Sequence, residues 1–119
     1  MKYFVSRIVC TTSLPVSVDL ENGYSHKAAK VIENVEALHR LGIAGINIED
    51  SVIDTNCDRQ LLELHTFSEI ISAISKYKDK TTSELFVNIR TDAFLLGTDN
   101  ALKETLGRLP ILKYAGNFR

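Results

Sequence analysis

The sequence has no tryptophan and only two cysteines among its 119 residues. Cys10 and Cys57 form no disulfide framework and match no zinc-ligand spacing, so neither staples nor a structural metal are expected to hold the chain together. An excess of one charge is also missing: 14 Lys and Arg stand against 15 Asp and Glu, a formal net charge of −1. That argues against a non-specific nucleic-acid or anionic-membrane binder, which would need a basic surface. No apolar run approaches the length of a membrane span. The stretch Met1–Ile8 lacks the basic flank, long apolar segment and small-residue cleavage site of a signal peptide. A cytoplasmic location is the expectation. No internal repeat or low-complexity linker interrupts the sequence. What is present is ordinary globular composition, 45% hydrophobic and 24% charged residues, enough for one domain with one core.

Three short runs read as strands: Val16–Leu20 behind Pro15, Gly45–Glu49, and Leu85–Arg90. Helical spacing falls between and after them. Ala28, Val31, Ile32, Val35, Leu38 and Leu41 mark one helix, with Ser25 as the predicted N-cap and Gly42 as the stop. Leu61, Leu64, Phe67, Ile70, Ile71, Ile74 and Tyr77 mark a second. Leu102, Leu106 and Leu109 mark the apolar face of a third, starting near Asn100 and carrying Pro110 in its interior. Phe4, Val5, Ile8 and Val9 suggest the end of another helix before the first strand. Strand–helix alternation predicts an α/β fold with parallel strands and right-handed crossovers. It does not separate an open sheet from a barrel. No glycine-rich phosphate loop follows a strand, which argues against a nucleotide binder.

The charged residues gather where the strands end. Asp19 and Glu21 close the first, Glu49 and Asp50 the second, Arg90 and Asp92 the third. In a parallel β/α fold these ends share one face, where barrel active sites are built. Carboxylates suit a hard cation, and a guanidinium fork suits a substrate carboxylate. The same acids also make good N-caps for the helices that follow, so either reading stands at this point. His26 and His65 are placed on helix surfaces and His39 at a helix C-terminus; no histidine has metal-ligand spacing to another.

Three segments, Leu14–Tyr24, Gly42–Ser51 and Phe86–Phe94, resemble successive strand motifs of the isocitrate lyase/phosphoenolpyruvate mutase superfamily, in its order and at compatible spacing. The resemblance implies a segment of a (β/α)8 TIM-type barrel, about three parallel strands with covering helices, as one partial domain over residues 1–119. It implies Mg2+ held by Asp19, Glu21 and Glu49, with Arg90 binding the carboxylate of a small substrate. The implied chemistry makes or breaks C–C or P–C bonds of 2-oxo or carboxylic acids through an enolate. Gly23 is expected to allow close backbone packing after the metal strand. Asp50 and Asp92 are candidates to orient the ligands.

The lyase branch of this superfamily carries a catalytic cysteine in a Lys-Lys/Arg-Cys-Gly-His motif. Cys57 falls at the matching offset and is the candidate catalytic thiol, but its flanks are Asn56, Asp58 and Arg59. A reactive thiol needs a cationic neighbourhood, and in an alternative register Arg59, Gln60, Leu61 and Leu62 resemble the loop of the carboxyphosphonoenolpyruvate mutase-like branch, so the mutase branch is favoured. Cys10 is expected to be packed away as a small hydrophobe. A whole barrel takes about 250 residues. By the resemblance, further strands would lie before Met1 and after Arg119, as a truncated or frameshifted reading frame would leave them. Tyr114–Gly116 resembles the entry to a next strand, which would begin near Phe118. The isolated chain is therefore expected to lack turnover. The alternative is a non-catalytic fragment that self-associates through open sheet edges.

Overall fold

The computed structural model describes residues 1–117. In chain order the elements are α1 (Lys2–Thr11), β1 (Ser17–Asp19), α2 (Ala28–His39), β2 (Gly45–Glu49), β3 (Ser51–Ile53), β4 (Arg59–Leu61), α3 (Leu64–Thr81), β5 (Phe86–Arg90) and α4 (Ala101–Ala115). Three strands form a parallel sheet in the order β1-β2-β5, and β3 and β4 form a separate antiparallel hairpin. The three strands read from sequence are the three of this sheet. Phe118 and Arg119, where a next strand was expected to begin, lie outside the described residues.

Alternation along the strands divides their side chains between two faces. Val18, Ile46 and Ile48 point into the core, with Val87 and Ile89 packed against it. There they meet Val31, Val35 and Leu38 of α2 and Phe67, Ile70, Ile71 and Ile74 of α3. The opposite face carries Ser17, Asp19, Gly45, Asn47, Glu49, Phe86, Asn88 and Arg90, aligned by the ladder register. Asn88 donates to Asn47 across this face at 3.1 Å.

Glycine is required at Gly23. Its φ is +84°, and a Cβ there would lie 2.7 Å from Cγ1 of Val31, a residue with no exposed surface. Gly23→Ala combines left-handed strain with overpacking and is expected to cost about 2–4 kcal/mol. Urea unfolding of the variant checks this; a loss below about 1 kcal/mol would show that Val31 gives way.

Several local expectations are corrected. Ser25 does not cap α2: the N-cap position is Lys27, and Ser25 Oγ accepts from the Lys27 N–H at 3.0 Å. His26 lies in this loop, not on a helix. Leu61 belongs to β4, and α3 begins three residues later behind Glu63, whose carboxylate accepts from the N–H groups of His65 and Thr66. Those two bonds favour the ionised form and hold the Glu63 carboxyl below its usual range. Cys10 is exposed: α1 turns Val5 inward, and Cys10 falls on its outer side. On α4, Leu102, Leu106 and Leu109 are exposed, while Arg108 and Leu112 are buried. The helix runs through Pro110 and turns the stripe of Arg108, Leu112 and Ala115, not the stripe of Leu102, Leu106 and Leu109, toward the rest of the chain.

Candidate carboxylate and arginine site

The register of the sheet sets two layers at its carboxyl end. Asp19 pairs with Asn47, and Asn47 with Asn88. One pleat further along, Glu49 pairs with Arg90. Glu21 joins this outer layer, because the Glu49 N–H donates to the Glu21 carbonyl at 2.8 Å. Asp19 is exposed and its Oδ1 accepts from the Glu21 N–H at 3.0 Å. Glu21 follows with φ of 49°, a bend that ends the strand. The expected metal carboxylates therefore stand at two levels. Among the described residues, no three His, Cys, Asp or Glu side chains are grouped closely enough to hold a metal ion.

Glu49 and Arg90 are brought together. Arg90 Nη2 pairs with Glu49 Oε2, and Arg90 Nε donates to Asp92 Oδ1 at 2.8 Å. The other Glu49 oxygen accepts from Arg59 Nη1 at 2.9 Å. The Ser51 hydroxyl sits between, 2.7 Å from Asp92 Oδ2 and 3.0 Å from Glu49 Oε1. Glu49 and Asp92 are almost fully buried, so these ion pairs form in surroundings far less screening than water.

Asp50 and Asp92 are not surface caps. Asp50 has no exposed surface and accepts from the Asp92 N–H at 2.9 Å, the Thr91 hydroxyl at 2.8 Å and Arg108 Nη1 at 3.2 Å. Arg108 also donates to the Leu62 carbonyl and to Glu104. Asp50 thus fixes the segment carrying Asp92, and Asp92 in turn aims Arg90. The sequence reading missed Arg108 and Arg59. The signal for Arg108 was its place among Thr105, Leu112 and Ala115 at helical spacing, which a search for apolar stripes passes over.

An open cavity of about 280 Å³ lies beside these groups, lined by Glu21, Tyr24, His26, Glu49, Ser51 and Arg59 among others. Desolvation, and then the negative charges of Glu21 and Asp19, raise the Tyr24 phenol above its usual range. Cys57 is exposed at the turn of the β3–β4 hairpin, with φ of 66°, and does not line the cavity.

A sequence model of the family described as phosphoenolpyruvate phosphomutase matches residues 1–117. Oxaloacetate decarboxylase of Pseudomonas fluorescens (strain SBW25) is 30% identical over 102 residues, which are 85% of this chain and 35% of that protein. The crystal structure of a candidate phosphonomutase from Burkholderia cenocepacia J2315 superposes with a TM-score of 0.86 at 34% identity, over 98% of this chain and 47% of that one. 2,3-Dimethylmalate lyase, itself a PEP mutase/isocitrate lyase superfamily member, gives 0.81 at 28% identity, over 98% and 39%. Phosphonopyruvate hydrolase in complex with oxalate and Mg2+ shares the fold, at 0.78 and 23% identity, over 97% and 38%. The chain spans less than half the length of each of these proteins.

Proposed function

Because the chain belongs to the phosphoenolpyruvate mutase/isocitrate lyase superfamily, we propose that it forms part of the active site of a Mg2+-dependent lyase or mutase. The substrates would be small 2-oxo or carboxylic acids, with a C–C or P–C bond made or broken. One observation carries this reading: the Glu49–Arg90 pair, held in register at the strand ends and fixed from behind by Asp92 and Asp50.

The donor set fits a hard cation in kind. Its side-chain donors are oxygens, and Glu21 and Glu49 line one cavity. Magnesium commonly takes one or two carboxylates and fills its remaining positions with water and substrate. Glu21 and Glu49 would hold it directly and Asp19 through water from the lower layer. A cation bound there stabilises negative charge developing on a substrate oxygen. Arg90, oriented by Asp92, would bind the substrate carboxylate. Tyr24 stands at the cavity wall, where its hydroxyl, which here donates to Met1 Sδ, would be a donor to a bound ligand. Cys57 receives no step. The test is a barrel completed with the flanking segments of an oxaloacetate decarboxylase relative and assayed for Mg2+-dependent pyruvate release, which Asp19→Ala should sharply reduce. Unchanged turnover in that variant would remove Asp19 from the site.

A second reading, a self-associating fragment, is favoured by the exposed stripe of Leu102, Leu106 and Leu109 on α4. Beside it a mainly apolar cavity of about 360 Å³ is lined by Val87, Ile89, Leu109 and Leu112, with Thr91, Arg108 and Lys113, against β5 at the edge of the sheet. Surfaces of this kind pair with other chains. On this reading, light scattering of the purified chain shows a dimer or larger species. A stable monomer at high concentration counts against it.

A further inference from the structure

The cavity at the strand ends is lined by one arginine, and it is Arg59, not Arg90. Arg59 comes from the β3–β4 hairpin and reaches back over Glu49. Its Nη1 donates to Glu49 Oε1 at 2.9 Å and to Ser51 Oγ at 3.0 Å, and stands 3.7 Å from Asp92 Oδ2. Its Nε and Nη2 donate to no protein group among the described residues. The guanidinium therefore has one nitrogen pinned while the rest of its donors remain available. Glu49 holds Arg59 by one oxygen and Arg90 by the other. Two guanidiniums thus flank a single carboxylate, Arg59 on the cavity side and Arg90 on the other oxygen. Being held already, they lose little freedom when an anion arrives.

Charge sets the condition for an anion. Glu49 and Asp92 offset Arg59 and Arg90, while Asp50 and Glu104 both face Arg108, so the cluster carries no positive excess. Glu21 and Asp19 add negative charge at its edge. A dianion entering there needs both guanidiniums and a cation on the acids.

We propose that Arg59 is a second anion-binding arginine, which with Arg90 takes the two acid groups of a small dianion such as a dicarboxylate or phosphonocarboxylate. The inference rests on the proposed function and adds to it the residue that separates diacids from monoacids.

The experiment titrates the 119-residue chain, in Mg2+, with oxalate and with pyruvate, and follows backbone and arginine side-chain NMR signals. Arg59→Gln, Arg59→Lys and Arg90→Gln are measured beside the native sequence. A charged hydrogen bond of this kind is worth enough for Arg59→Gln to weaken oxalate by about ten-fold or more. Pyruvate affinity should stay within about two-fold, since one guanidinium suffices for one carboxylate. Arg59→Lys restores part of the oxalate affinity, keeping the charge without the fork, and carries the test if the glutamine variant does not fold. Equal weakening of both acids would overturn the inference, because Arg59 would then act on the fold or the general field. Oxalate affinity unchanged in Arg59→Gln but lost in Arg90→Gln would also overturn it, leaving the proposed function standing. Binding of neither acid to the native chain would overturn the inference, which places the anion site on this chain's own arginines, whereas the proposed function is decided by turnover of the completed barrel.

Discussion

Arg108→Leu should destabilise the protein by about 3–5 kcal/mol, the cost of breaking a buried ion pair from one side. Asp50 has no exposed surface, and Arg108 is its charged partner. Without it the Asp50 carboxylate keeps two donors, the Thr91 hydroxyl and the Asp92 N–H, neither of them charged. The Leu62 carbonyl loses a donor as well. Against a typical total stability of about 5–15 kcal/mol, such a loss moves a urea midpoint far. Asp50→Asn with Arg108→Leu should be less damaging than the two single costs added together, because no charge is then stranded. Additive costs, or a single-variant loss below about 1 kcal/mol, would show that water reaches Asp50.

The second large effect is catalytic and falls on Glu49. In the completed barrel, Glu49→Ala should lower kcat/KM for oxaloacetate by at least about a hundred-fold. Removing a group that merely supports a metal ligand costs about 10–100-fold, and Glu49 is proposed as a ligand that also fixes two arginines. The isolated chain should release no pyruvate above the blank rate, since catalysis depends on groups held in place within a closed site. Turnover by the isolated chain, abolished in Glu49→Ala, would mean that copies assemble a working site between them. Wild-type rates in the Glu49→Ala barrel would sink the assignment of Glu49.

The parts of the fold that were legible are those where one signal dominates. Gly45–Glu49 is bounded by a glycine and an acid, and its Ile46 and Ile48 are wholly buried. Helix α3 repeats apolar residues over four turns of core contact. The hairpin was not legible because each of its strands is three residues long and Leu61 also fits the period of the helix behind it. Arg59 therefore reads as part of the loop around Cys57, with no role at the strand ends. In α4 the leucines at positions 102, 106 and 109 carried the apolar signal, yet the inward stripe is anchored by a charged residue with its partner 58 positions away. No local pattern records such a pair. At the site, the acids and Arg90 could be placed at strand ends, but their levels depend on ladder register. That register puts Asp19 beside Asn47 and not beside Glu49.

The order β1-β2-β5 in the sheet is also the order in which a ribosome makes these strands. Each later strand docks on the free edge left by the one before, and none has to be wedged between two already joined. A nascent chain could therefore add its strands in sequence without reopening a ladder. The cost of each addition is the closure of one connecting loop, which grows only slowly with loop length. The β3–β4 hairpin lies within the longer of the two connections and pairs only with itself, so Arg59 reaches Glu49 without interrupting this succession.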